Sequence, residues 1–243
     1  MMVTGASRGI GAATARLAAA RGWDVTITYQ SLSAEAAAVA RDVERSGGRC
    51  ITVELDVRDE GAIAAAFEQT TATFGRLDVL VNNAGTAAEY GSFLDFDVNA
   101  VRDMFDVNVI GAFVCAREAA RRMVVSRGGS GGVIVNVSSR AAQLGGAGEW
   151  VHYAASKGAI ETLTSGLARE LASDGVRVCG VRPGLISGDF HRHAPPGRAE
   201  RLESTIPVAR AGTNEEVAEA IVWLASPAAS YSHGAMIDVA GGR

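Results

Sequence analysis

Short apolar runs alternate with longer runs of alanine, arginine and glutamate along nearly the whole chain. Residues 25–29, 49–55, 77–82, 132–137, 176–181 and 236–239 are apolar stretches of strand length, rich in β-branched residues. Between them, residues 10–21, 34–46, 60–74 and 98–125 have helical composition. This alternation predicts βαβ units with right-handed crossovers and a parallel sheet covered by helices on both faces. The fold class is therefore α/β, a three-layer sandwich. No linker or internal repeat breaks the pattern, so residues 1–243 read as one domain. The glycines at 128–132 read as the turn into a strand. Residues 187–204, punctuated by Pro195-Pro196-Gly197, read as a mobile lid.

Composition narrows the classes. The chain has 243 residues, 48% hydrophobic and 21% charged, as expected of an ordinary globular protein. A net charge of −4, with arginines scattered among acids, leaves no electrostatic footprint for nucleic acid. No apolar run reaches the roughly 18 residues of a membrane span. No basic segment followed by a short apolar one marks a secretory signal. Cys50, Cys115 and Cys179 are far apart and embedded in apolar stretches, so they read as small buried hydrophobes in a reducing compartment. A cytoplasmic protein without membrane or nucleic-acid partners is expected.

Thr4-Gly5-Ala6-Ser7-Arg8-Gly9-Ile10-Gly11 leaves the first strand and opens a helix. Three glycines permit positive φ and let a pyrophosphate approach bare backbone. The N–H groups and dipole of the helix N-terminus favour the anion. Only Met1, Met2 and Val3 precede this turn, so a very short first strand, a weakened edge of the nucleotide site and a chain that begins late are expected. The second strand ends at Tyr29-Gln30-Ser31 with no acidic residue, whereas an NAD site usually places one there for the ribose 2′-hydroxyl. A carboxylate would repel a 2′-phosphate, and Arg8, Ser7 and Ser31 are candidates to bind one. NADP(H) is therefore expected over NAD(H).

Lys157 is the only lysine, and it lies four residues after Tyr153. Positions i and i+4 share a helix face. An ammonium there would favour the phenolate and lower the tyrosine pKa from about 10.

With these residues the chain resembles the short-chain dehydrogenase/reductase family, in its classical subgroup, from Thr4 to about Gly242. The motifs stand in the family's order. Thr4 to Gly11 is similar to its cofactor turn, and Asp56-Val57 to the pair that contacts adenine. Asn82-Asn83-Ala84-Gly85 is similar to the motif after the fourth strand, and Asn108 to the family's asparagine. Ser138-Ser139 ends a strand, Tyr153 and Lys157 match Y-x-x-x-K, and Pro183-Gly184 follows the sixth strand. The resemblance implies a Rossmann-type, doubly wound sheet of about seven strands. It also implies reversible hydride transfer between a nicotinamide and a small-molecule carbonyl or alcohol. Tyr153 would be the general acid/base, and Lys157 would lower its pKa and hold the ribose hydroxyls. Ser139 would bind the substrate oxygen, and Asn108 would anchor a water that links Lys157 to solvent. Gly5, Ser7, Arg8, Gly9, Ile10, Gly11, Tyr29, Ser31, Asp56, Val57, Asn83, Ala84, Gly85, Asn108, Tyr153, Lys157, Pro183, Gly184 and Ile186 would line the cofactor.

Three departures bear on this reading. Ser139 lies fourteen residues before Tyr153, one more than the family's usual spacing, and Arg140 takes the usual position. Ser139 is chosen over Ser138, with an extra residue in the 141–152 loop. Gly188 stands where many relatives carry a threonine that contacts the carboxamide, so the backbone of Ile186, or Ser187, is expected to serve. Asp174 falls where 3-oxoacyl-carrier-protein reductases commonly carry a second basic residue, although Arg121, Arg122 and Arg127 are available. Acyl carrier protein is thus a possible but unfavoured partner. Carrier-protein reductase or sugar dehydrogenase is the alternative activity, and a non-catalytic NADP sensor a more distant one. Gln143, Leu144, Trp150 and His152 flank the catalytic residues. His191, His193 and Arg198 read equally as solvated or substrate-binding, and no metal site is expected. The family is usually a homotetramer, and the helices over 98–125 and 153–173 would form its contacts.

Overall fold

In this computed structural model residues 1–188 and 194–243 are described. The strands are β1 (Met2–Val3), β2 (Val25–Tyr29), β3 (Cys50–Glu54), β4 (Val79–Asn82), β5 (Gly132–Val137), β6 (Val176–Pro183) and β7 (Met236–Val239). All pair in parallel in one sheet of order β3-β2-β1-β4-β5-β6-β7. Successive residues alternate between two cores. Val3, Val79, Val81, Val133, Val135 and Cys179 face one, while Met2, Leu80, Ile134 and Val178 face the other. Both faces are covered, so a strand must be apolar at every position rather than at every second one.

One core lies under α1 (Gly9–Ala20), α2 (Ser33–Arg45) and α9 (Asn214–Ala225). The other lies under α3 (Glu60–Phe74) and α5 (Ala112–Met123), with part of α7 (Val151–Leu171). Among the described residues the remaining α-helices are α4 (Val98–Phe105), α6 (Ala141–Leu144) and α8 (Arg198–Glu203). β1 has only two residues, as its sequence implies, yet it is paired on both sides at the middle of the sheet. The strand order reverses between β1 and β4, which is where doubly wound sheets open a crevice beyond the strands' carboxyl ends.

The structure corrects two boundaries. The helix expected over 98–125 runs without a break from Val98 to Met123, but a π-helical turn, Asp106–Gly111, divides it into α4 and α5. A π turn carries an extra residue and often marks a functional position. Glycine is required at its end, because a Cβ on Gly111 would lie 2.7 Å from the Val57 carbonyl oxygen. The loop expected over 141–152 contains α6, and α7 begins at Val151, two residues before Tyr153. Three side chains tie α7 to the sheet. Asn82 Nδ2 donates to Asn136 Oδ1 at 3.0 Å, and Asn136 Nδ2 donates to Thr164 Oγ1 at 2.9 Å. Among the described residues no helix is long and apolar enough to cross a membrane.

Candidate active site

The carboxyl ends of the strands open into a cleft of about 1330 Å³. Its floor is the glycine turn. Gly5 and Gly9 have φ of +62° and +58°, a region that favours glycine. A Cβ on Gly11 would lie 2.6 Å from Asn83 Nδ2 and 2.8 Å from the Gly5 carbonyl oxygen. The Asn83-Ala84 strap pins this turn. Thr4 Oγ1 accepts from the N–H groups of Asn83 (2.9 Å) and Ala84 (3.0 Å), and Asn83 Nδ2 donates to the Thr4 (2.8 Å) and Gly5 (3.0 Å) carbonyls. Ser7, Arg8, Ile10, Tyr29, Ser31, Asp56, Val57, Asn83, Ala84, Gly85, Pro183, Gly184 and Ile186 line the cleft with Gly5 and Gly9. Gly11 is buried beneath it. The bare backbone at Gly5 and Gly9 leaves the cradle a pyrophosphate needs, so these residues fit a nicotinamide dinucleotide.

At the end of the cleft beside β2 and β3, Asp56 accepts two bonds from Arg58 Nε at 3.0 Å, one from Arg58 Nη2 at 2.5 Å and one from Gln30 Nε2 at 3.0 Å. The Arg58 guanidinium, opposed by partial burial, holds the Asp56 carboxyl at about 2. Arg58 and Gln30 also line the cleft, and the sequence reading missed both. Arg58 lies two residues after Asp56, and Gln30 stands between Tyr29 and Ser31; those neighbours were the available signal. Asp24, at the other end of β2, is bound to Arg49.

At the other end, Tyr153 and Lys157 are buried on one face of α7. Lys157 Nζ donates to the Val137 carbonyl at 2.8 Å and lies 5.7 Å from the centre of the Tyr153 ring. In the cofactor-free site the tyrosine pKa is raised rather than lowered. Burial pushes the phenol up to about 12, against a lowering hydrogen bond from Ser139, and burial pushes the Lys157 ammonium down to about 8. Desolvation of both groups outweighs their mutual field in the cofactor-free site.

The serines separate as strand geometry requires. Ser138 is buried, and its Oγ faces the Lys157 carbonyl (3.1 Å) and Glu161 Oε1 (3.2 Å). Ser139 faces the cleft beside Tyr153, and its Oγ accepts from the Ala141 N–H at 3.1 Å. Asn108 sits in the π turn. Its Oδ1 accepts from Thr86 N (2.8 Å), and its Nδ2 donates to the Thr86 carbonyl (2.8 Å) and to Ser156 Oγ (3.1 Å). A Cβ on Gly85 would lie 3.2 Å from Asn108 Oδ1 and 3.4 Å from Lys157 Nζ, so this glycine keeps the space between them open.

Beyond Tyr153 the wall is largely apolar, with Met104, Trp150, Leu144 and Leu202. Trp150 and Tyr90 meet edge to face at 5.1 Å. The Arg198 guanidinium lies 4.6 Å from the Trp150 ring and pairs with Glu149 at 2.5 Å. Arg198 is thus buried against the wall rather than solvated. Tyr90 and Glu149 gave no signal in sequence, because three distant segments meet to form this corner. Gln143 is bound to Arg140, and neither it nor His152 lines the cleft. His191 and His193 lie outside the described residues. Among those described, no cluster of His, Cys, Asp or Glu is placed to hold a metal. Arg121 and Arg122 are both paired with Glu118, and Asp174 accepts from Ser126 N and Oγ.

A family model described as "Enoyl-(Acyl carrier protein) reductase" matches residues 5–243. The chain is 46% identical to the oxidoreductase YgfF of Escherichia coli, over all of this chain and 98% of that protein. It is 41% identical to the cis-4-hydroxycyclohexanecarboxylate dehydrogenase of Sinomonas cyclohexanicum, over 99% of this chain and 94% of that one. A short-chain dehydrogenase from Burkholderia cenocepacia, solved in complex with NADP, superposes with a TM-score of 0.92. It is 34% identical, over 99% of this chain and 96% of that one.

Proposed function

We propose, since this chain belongs to the short-chain dehydrogenase/reductase family of oxidoreductases, that it is an NADP-dependent enzyme interconverting a carbonyl and a secondary alcohol through Tyr153. The observation that carries this reading is the cluster at the cleft's end: Tyr153 hydrogen-bonded to Ser139, with Lys157 one turn further along α7. When bound, the nicotinamide supplies or accepts the hydride. In reduction, the Tyr153 hydroxyl gives its proton to the substrate's carbonyl oxygen; in oxidation, the phenolate takes it back. Ser139 Oγ accepts from the Ala141 N–H, and its proton, which here goes to Tyr153, would turn to the substrate oxygen on which charge develops. Lys157, its ammonium brought down to about 8 by burial, is poised to pass a proton toward the tyrosine. Asn108 braces this end by binding Thr86 and Ser156. A water relay through Asn108 would therefore use its backbone rather than its committed amide.

NADP is favoured over NAD because β2 ends without a carboxylate and Arg8 lines that end of the cleft. The pairing of Arg121 and Arg122 with Glu118, and of Asp174 with Ser126, leaves a carrier-protein surface without obvious support. A single-domain, cytoplasmic homotetramer fits the family.

The test is NADPH and NADH consumption against ketones, diketones, a 3-oxoacyl thioester and 4-oxocyclohexanecarboxylate, with the reverse reactions on alcohols and sugars. Tyr153→Phe is the control. Turnover that disappears in this variant supports the reading. Turnover that survives it, or a clear preference for NADH, overturns the tyrosine or the NADP part respectively.

A further inference from the structure

Ser139 can act on the substrate oxygen only if its turn is held still, and the structure surrounds that turn with charge. Ser138 N donates to the Val181 carbonyl and Arg140 N to the Pro183 carbonyl, each at 2.9 Å, so the turn hangs from the end of β6. Its two flanking side chains reach outward. Ser138 Oγ meets Glu161 Oε1 at 3.2 Å. Glu161, one turn beyond Lys157 on α7, takes Arg182 in two bonds of 2.6 and 2.9 Å. Arg182 Nη1 donates to Asp238 Oδ1 at 3.2 Å, and Asp238 Oδ2 accepts from Arg140 Nη1 at 2.9 Å. Arg140 Nε also donates to the Arg243 carbonyl at 2.8 Å.

These contacts form a ring: Ser138, Glu161, Arg182, Asp238, Arg140, and back through Ser139 itself. We infer that this ring is a positioning device, with Arg140 and Asp238 as positioning residues that hold Ser139 toward Tyr153. The inference rests on the proposed role of Ser139. Two arginines and two acids leave the ring neutral, so it is built to hold rather than to bind an anion. Single exposed ion pairs contribute little, but a linked network with bidentate geometry can. Here the Arg140, Arg182 and Glu161 side chains are 17, 15 and 19% exposed, while Asp238, at 45%, closes the ring at the surface. Arg140 directly follows Ser139, so the turn's own next residue supplies an anchor.

Asp238→Asn breaks two pairs without changing shape, and Arg140→Gln releases the serine side alone. The holoenzyme of each should lose about 10- to 100-fold in kcat, as expected when a catalytic group is displaced by a fraction of an ångström. The KM and the NADPH dissociation constant, read by fluorescence, should stay within about threefold of wild type. The double variant should lose no more than the worse single one, because both cut the same ring. Asp238→Glu should restore part of the rate. Hydrogen exchange of the peptide over residues 138–144 should quicken in both variants. This arm needs no substrate, so it judges the ring even if the Tyr153→Phe control sinks the carbonyl reading. Unchanged kcat and exchange, losses confined to KM or NADPH affinity, or additive losses in the double variant would each overturn the inference. Should Asp238→Asn fail to fold, Arg140→Gln carries the same arms.

Discussion

Replacing Lys157 by methionine separates stability from activity at the one buried ammonium of the site. The side chain's length is kept, and the charge and its hydrogen bond to Val137 are lost. In the cofactor-free protein, burial lowers the Lys157 pKa from 10.5 to about 8, so holding the charged form at pH 7 costs about 3 kcal/mol. Methionine removes that cost. It also leaves the Val137 carbonyl without its donor, a loss of about 1–3 kcal/mol for a buried acceptor. At pH 7 the variant should therefore be as stable as wild type or up to about 2 kcal/mol more stable. The sign reverses with pH. Between about 8 and 10.5 the folded lysine is neutral while the unfolded one still binds its proton, so wild-type stability rises with pH across this window. The variant lacks this gain and should become less stable than wild type by about 1–3 kcal/mol near pH 10.5. Its turnover should fall at least about 1000-fold at every pH, because the tyrosine, at about 12, loses the neighbouring ammonium that can supply its proton. Denaturant melts of the cofactor-free proteins from pH 7 to 10.5, with turnover on the best substrate, make the comparison. A stability difference that does not change with pH would refute the burial argument. Turnover within tenfold of wild type would refute the role of Lys157.

Two further substitutions probe the turns. Ser139→Ala should cost about 100-fold or more in kcat with little loss of stability, as for a removed oxyanion donor. Ser138→Ala should cost at most about tenfold, with about 1–2 kcal/mol of stability for its buried hydroxyl; the reverse ranking in steady-state rates would show that the wrong serine was chosen. Gly11→Ala would gain about 1 kcal/mol of helix propensity. Its Cβ would nonetheless press within 2.6 Å of Asn83 Nδ2 and disturb the strap over the turn. A net loss of about 1–3 kcal/mol and at least tenfold weaker NADPH binding are expected. A variant that melts higher and binds NADPH normally would contradict the close packing.

Sequence and tertiary structure divide the determination of this protein along the range of the interactions involved. The βαβ alternation, the glycine turn and the Tyr153–Lys157 pairing were legible in the chain. Strand and helix periods, positive φ and i,i+4 geometry act over a few residues. The continuous apolar runs likewise announced a sheet buried on both faces. The π turn at Asn108 was not legible, because its composition is that of an ordinary helix; nor was the close fit of Gly111 against Val57, more than fifty residues away. Nor was the burial of Arg198, which needs Tyr90, Glu149 and Trp150 from separate segments. The Tyr153 pKa shows the division most directly. Spacing correctly brought an ammonium near the phenol, but the direction of the shift follows from the water both groups lose. Desolvation is a property of everything packed around them, and only the tertiary structure decides it.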